Sequence, residues 1–312
     1  MNVALDQSGG LSIYEDVEQS AQIITPEPVC PVAGLSAFTV SSPTEPTVPI
    51  LFTSPHSGAN YPASMLPGLR VPVMDLRRTE DAFVDELFAG AARHGGQMIS
   101  ANYARAYVDL NRDARELDPD MFADGAPRTV AVPSARVEAG LGCLPKVAAR
   151  GEPIYAKRLS RAEGEYRLTL VHDAYHSFIR QTLDDFRARF GIAVLIDCHS
   201  MPSQQPGRRK LTDIVLGDRF GSSCDSRLTS LAERSFRRLG YSVSRNAPYA
   251  GGFTTRAYGR PKQRIHALQI ELNRGLYMDE VAVEKSFNFS VLRPQILEVA
   301  KVLTSFAKAR SK

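Results

Sequence analysis

Short apolar runs that break off into polar residues recur along the chain, and two of them carry an imidazole at the break. In Ala193 to Pro202, AVLIDCHSMP, the apolar residues that follow Ile192 read as a strand buried on both faces. The polar exit at Asp197, His199 and Ser200 falls where open α/β sheets hold their ligands, beyond the carboxyl ends of the strands. Pro49 to Gly58, PILFTSPHSG, repeats the arrangement and ends on His56. One histidine at a strand end is most simply a hydrogen-bonding cap. Two with the same placement point to a metal or acid/base site.

Further strands are expected at Gln97 to Ala101, Leu211 to Leu216 and Ile265 to Leu272. Helices are expected from Thr79, over residues 160–190, from Ser226 to Leu239 and over about residues 283–308. Thr79 reads as an N-cap with Glu80 and Asp81 in the first turn, and Ser160 with Glu163 reads as a capping box. This alternation predicts a mainly parallel sheet. The prolines at 26, 28, 31, 43 and 46, with Pro49 at the edge, exclude a regular helix near the start, so residues 1–46 read as an arm or extension and 47–312 as one α/β domain. Residues 114–152, rich in Gly, Pro and Asp, read as a long loop of the kind that lids a site.

Several polar residues stand out against this frame. Glu271 ends an otherwise apolar strand, a costly position unless the carboxylate is paired, bound to metal or engaged in acid/base work. The run from Tyr103 to Asp113 brings Arg105, Asp109, Asn111 and Arg112 to one neighbourhood, suited either to a substrate carboxylate or to surface ion pairs. In YAGGFTTRAY, Tyr249 to Tyr258, Gly251 and Gly252 allow close backbone approach or a turn. His172 and His176 share a helical face without an HExxH context, and His172 reads as surface or packing.

Composition narrows the class. The chain has 312 residues, 43% apolar and 23% charged, and a net charge of +4 spread along its length, which gives nucleic-acid binding no support. The basic cluster at Arg208, Arg209 and Lys210 reads as solvated loop charge. The four cysteines form no CxxC pair, so a reduced, cytoplasmic setting is expected, and neither a secretion signal nor a membrane anchor is expected from the hydropathy pattern. Oligomeric state leaves no mark on the pattern.

The segments PHSG (55–58), DLNR (109–112), DCHSMP (197–202), DIVLGDRFGSSC (213–224), YAGGFTTRAYG (249–259) and QIELNRGLYMDE (269–280) together resemble the N-formylglutamate amidohydrolase family over about residues 47–305. The resemblance implies a three-layer α/β/α sandwich around a mixed, mainly parallel sheet, the phosphorylase/hydrolase-like fold that the family shares with zinc carboxypeptidases and aspartoacylase. It also implies one zinc ion held by His56, His199 and a carboxylate, with Asp81 favoured and Glu80 as the alternative. Zinc carboxypeptidases place a Glu three residues after the first His, where this chain has Ala59.

Glu271 then matches a general base, Arg105 a group that polarises the scissile carbonyl, and Asn111 and Arg112 a pair that holds a substrate carboxylate. Arg256 or Arg274 is assigned to a second carboxylate from charge and location. The implied reaction is hydrolysis of the small molecule N-formyl-L-glutamate to formate and L-glutamate, in histidine breakdown. A zinc amidase for another N-acyl amino acid or small peptide, or a binding protein that lost catalysis, are the alternatives.

Overall fold

The computed structural model describes residues 23–24, 35–149, 151–204 and 211–312. Eight strands form one sheet among them: β1 (Ile23–Ile24), β2 (Phe38–Ser41), β3 (Ile50–Ser54), β4 (Gln97–Ala101), β5 (Ala193–Met201), β6 (Ile214–Gly217), β7 (Val243–Arg245) and β8 (Ile265–Asn273). They lie in the order β1-β2-β4-β3-β5-β8-β6-β7. Pairing is parallel for β4–β3, β3–β5, β5–β8 and β6–β7, and antiparallel for β1–β2, β2–β4 and β8–β6. The sheet is therefore mixed and mainly parallel, as the alternation of patterns predicts.

The helices among the described residues are α1 (Val73–Arg77), α2 (Val84–Phe88), α3 (Ala135–Glu138), α4 (Arg161–Arg167), α5 (Ala174–Phe190), α6 (Ser226–Arg238), α7 (Phe253–Tyr258) and α8 (Phe289–Lys308). Strand side chains alternate between faces, and the apolar residues of the central strands do so on both sides. Phe52, Val194, Ile196, Leu268 and Ile270 pack with residues of α2, α6 and α8. Leu51, Ala193, Leu195 and Ala267 pack instead with Tyr175, Ile179, Leu183 and Phe186 of α5 and with apolar residues from the 103–154 segment. Helix, sheet and helix thus form three layers, the α/β/α sandwich.

Ser160 caps the rod over 161–190, its Oγ accepting from the Glu163 N–H at 3.1 Å. A six-residue π-helical stretch, Leu168–Asp173, interrupts the α geometry between α4 and α5. Elsewhere the expected elements shift. The helix expected from Thr79 starts only at Val84, because the Thr79 hydroxyl donates to the Leu76 carbonyl and Phe83 takes a left-handed φ of 66°. The final helix begins at Phe289, residues before it pairing as a hairpin of β9 (Met278–Asp279) and β10 (Glu284–Lys285).

Phe38–Ser41, within the segment read as a proline-rich arm, forms β2 and pairs with β4. Residues 1–22 and 25–34 of that arm, Cys30 and the Arg208–Lys210 cluster lie outside the described residues. Cys143, Cys198 and Cys224 are buried and form no disulfide. No helix among the described residues is long and apolar enough to cross a membrane.

Candidate active site

The alternation that builds the sandwich also places the chemistry. Cys198 joins the core under α2, α6 and α8, so its neighbours Asp197 and His199 project from the opposite face, where Gln269 and Glu271 of β8 also emerge. His199 and Glu271 are register partners across the parallel β5–β8 ladder. His56 joins them from the turn after β3. That turn is fixed by Gly58: a Cβ there would lie 2.3 Å from the Tyr103 carbonyl oxygen, and Asn60 exchanges backbone hydrogen bonds with Asn102 and Ala104. The docking also carries Arg105 and Asp109 to His56. Ahead of the first turn of α2, the Asp81 N–H donates to the His56 carbonyl at 3.0 Å and ties the carboxylate to the turn that carries His56.

Three donor atoms converge as a result. The Nδ1 atoms of His56 and His199 lie 3.3 and 3.0 Å from Asp81 Oδ2, and one ligand atom from each of these three buried residues falls within 4.8 Å of the others. Two imidazole nitrogens and a carboxylate oxygen are a donor set that suits a divalent ion such as zinc and leaves a position open for water. The outer ring nitrogens are supported as metal-binding histidines require. His56 Nε2 meets Asp109 Oδ1 at 2.7 Å. His199 Nε2 has the buried and otherwise unpartnered Asp197 Oδ2 at 2.9 Å as an acceptor for its proton when Nδ1 serves as a ligand, while Asn111 Nδ2 at 3.1 Å donates to Nε2 only in the tautomer with the proton on Nδ1. Either tautomer of His199 therefore has a partner at Nε2.

Charge around the donors is balanced locally. The second Asp81 oxygen accepts from Arg274 Nη2 at 3.0 Å and faces Arg105 Nη1 at 3.8 Å. Burial alone would raise the Asp81 carboxyl; hydrogen bonds from His199 and His56 and the nearby charges hold it well below the usual carboxylate range. Asp109, paired with Arg105 Nη2 at 2.8 Å, is held low in the same way against its burial. Glu271 has the opposite balance. Burial pushes it up to about 7, with His199 opposing and Asp81 adding to the rise. Its Oε1 accepts from Gln269 Nε2 at 2.7 Å, and Gln269 is in turn held by the Gly252 N–H at 2.8 Å.

These groups open into a cavity of about 450 Å³. His56, Asp81, Arg105, Asn111, Arg112, His199, Glu271 and Arg274 all line it. Glu80, the alternative third ligand, is not in the converging set: it accepts from the Tyr61 hydroxyl at 2.6 Å, and burial raises its carboxyl to about 7. Arg256 is not among the lining residues either; it is half-exposed and pairs with Glu116 at 3.2 Å. Asn111 directs its Oδ1 to the N–H and hydroxyl of Thr254 at 2.9 and 3.1 Å, so its amide is occupied with His199 and α7. A Cβ on Gly252 would lie 2.3 Å from Asn111 Nδ2, so the paired glycines serve close approach to a side chain as well as the turn, where Gly251 has φ 122°.

The model of the N-formylglutamate amidohydrolase family matches residues 48–278. The chain belongs to that family. The N-formylglutamate deformylase of Pseudomonas putida is 34% identical over 241 residues, 75% of this chain and 83% of that protein, and the Pseudomonas aeruginosa enzyme of the same name is 34% identical over 242 residues. The crystal structure of N-formylglutamate amidohydrolase from Ralstonia eutropha JMP134 superposes with a TM-score of 0.83 at 33% identity, covering 88% of this chain and 99% of that one. A gene product of Agrobacterium tumefaciens, at 19% identity and a TM-score of 0.58, shares the fold. Membership of the N-formylglutamate amidohydrolase family makes this chain a hydrolase of carbon–nitrogen bonds other than peptide bonds.

Within this amidohydrolase scaffold, sequence reasoning passed over three supporting groups. Asp109 stands in the sequence only as one of a cluster, Asp197 only as part of the polar exit with no partner named for it, and Gln269 not at all; the period-2 spacing of Asp197 to His199 and of Gln269 to Glu271 is the available signal. The two histidines on the long helix also acquire a place. His172 Nε2 donates to the Arg112 carbonyl at 3.0 Å, and His176 Nε2 donates to the Leu110 carbonyl at 2.9 Å while its Nδ1 accepts from the Tyr258 hydroxyl at 2.9 Å. Burial and the neighbouring His172 hold the His176 pKa well below its usual value, so the ring is neutral. Both histidines are buried and brace the segment that carries Asp109, Asn111 and Arg112.

Proposed function

We propose that the protein is a metal-dependent deformylase that hydrolyses N-formyl-L-glutamate to formate and L-glutamate. The observation that carries this reading is the convergence of His56, Asp81 and His199 beside Glu271 in a cavity bordered by five arginines, Arg78, Arg105, Arg112, Arg136 and Arg274. A dianionic substrate suits such a wall. The relatives named for the same reaction support the substrate.

The donor set fits zinc, which supplies Lewis-acid activation of water and of the carbonyl. Glu271, raised to about 7, is poised to take a proton from water near neutral pH as the oxygen attacks the formyl carbon. Arg105, with a partly exposed side chain held by Asp109, offers N–H donors to the oxygen that gains charge in the tetrahedral intermediate. As the C–N bond breaks, Glu271 returns the proton to the departing amine. Arg112 holds a carboxylate of the substrate. The setting we infer is histidine breakdown in the cytoplasm.

Elemental analysis of the purified protein, with formate release from N-formyl-L-glutamate measured before and after chelation, tests this. The expected result is about one zinc per chain, as a three-ligand catalytic site implies, with formate release lost on chelation and restored by added zinc. Bound metal without formate release would discard the substrate; formate release that survives complete metal removal would discard the metal.

A further inference from the structure

The five cavity arginines differ in what already neutralises them. Arg78 pairs with Asp75, Arg105 with Asp109 and Arg274 with Asp81. Arg112 has no carboxylate within ion-pair distance among the described residues; its Nε and Nη1 donate to the Leu141 and Asn111 carbonyls at 3.1 and 2.9 Å. Arg136, on α3 at the exposed rim of the cavity, has neither an ion pair nor a side-chain hydrogen bond among the described residues.

The two unneutralised guanidinium groups belong to one structural unit. Leu141 joins them: its carbonyl accepts from Arg112, and its N–H donates to the Arg136 carbonyl at 2.7 Å. Partial burial and then the Arg112 charge lower the Arg136 pKa, with Glu116 and Asp109 opposing. Such a pair is unfavourable until an anion enters between or beside them, and two guanidinium forks match two carboxylates. The guanidinium of Arg274 is already committed to Asp81, and Arg256 lies off the cavity.

We propose that Arg136 is the specificity-determining residue that binds the side-chain carboxylate of a dicarboxylic N-acyl amino acid, while Arg112 takes the α-carboxylate. This rests on the deformylase reading and adds what selects glutamate over neutral amino acids. Because the recognition is by charge, an amide in place of the distal carboxylate is discriminated against although its size is unchanged.

The test compares N-formyl-L-glutamate with N-formyl-L-glutamine, which differ only at the distal group, in the wild type, R136Q and R136K. The Arg136 side chain has no ion pair or hydrogen bond among the described residues, so its replacement spares the fold, which an unchanged melting temperature verifies. In R136Q, kcat/KM for the glutamate derivative is expected to fall about tenfold more than for the glutamine derivative, chiefly through KM, as loss of a charge-assisted contact at a partly exposed site predicts. R136K recovers part of that difference. Equal losses on both substrates, or no loss on either, overturn the proposal. If the wild type releases formate from neither substrate, the deformylase reading itself fails. Calorimetric binding of L-glutamate against L-glutamine then decides Arg136: a preference for glutamate that disappears in R136Q supports the assignment, and a preference that is absent or unchanged ends it.

Discussion

The strand ends that carry His199 and Glu271 and the loop wall that carries Arg136 border one cavity but are held in different ways. β5 and β8 are paired through nine consecutive positions, and every residue of both strands is buried. The wall between residues 114 and 149 contains only a short 3-10 turn at Pro119–Met121 and the four-residue α3, and much of it is exposed. The groups assigned to the reaction sit where the backbone cannot shift without breaking a ladder, and those assigned to the substrate's identity sit where sequence can change at little cost to the core. Arg112 lies between these regimes: its backbone is braced by His172 and its guanidinium leans on a loop carbonyl.

Substitutions on either side should separate the two regimes. The largest effect is expected for Glu271→Gln, which keeps the shape and the contact with Gln269 but removes the base; kcat should drop by about 10²–10⁴-fold with metal content unchanged. A variant that retains turnover would remove Glu271 from the chemistry. Asp109→Asn should weaken metal binding by about 10–100-fold, read by competition with a chelator, because the orienting carboxylate on His56 Nε2 is lost. Asp109 is a cleaner target than Asp81, whose removal strands the buried Arg274 and threatens the fold. Arg112→Ala should raise KM for N-formyl-L-glutamate by about tenfold while kcat changes little. Arg256→Ala, outside the cavity and ion-paired at the surface, should move either constant less than about twofold, and a larger effect would mean that the substrate-binding wall reaches α7.

Much of the fold was legible from pattern. β4 falls on the residues expected, and β3, β8 and α6 fall within one or two residues of expectation, because continuous apolar runs mark buried strands; β5 instead runs through its expected polar exit to Met201, since Asp197, His199 and Ser200 are themselves buried in the ladder with β8. The start of α2 was misplaced because Thr79, Glu80 and Asp81 have the composition of a first turn; the left-handed Phe83 that delays the helix has no signature in a sequence. Within the cavity, His56, His199 and Glu271 announced themselves as polar residues at the ends of apolar runs. Arg136 did not, since nothing in a loop's composition says which arginine turns toward a cavity, and Arg256 stood out for the same want of a rule. Arg274 was found, but its partner Asp81 is 193 positions away in sequence and no spacing argument connects them.

The π-helical stretch at Leu168–Asp173 sets the phase of the long helix. His172 lies inside it and His176 just after it, while Gly164 and Arg167 before it are packed on the other end of the same rod. Deleting one exposed residue of the stretch, such as Thr169, would let the rod rewind as plain α-helix, and each residue of an α-helix turns the axis by about 100°. Both ends would then keep their faces, because the widened turn absorbs one residue's worth of rotation; forcing plain α geometry with the residue retained is what would unseat the Arg167 end or swing the two imidazoles away from the carbonyls of Leu110 and Arg112. The wide turn thus works as a rotary coupling that takes up one surplus residue while the surface that packs and the imidazoles that brace the 110–112 carbonyls stay in phase.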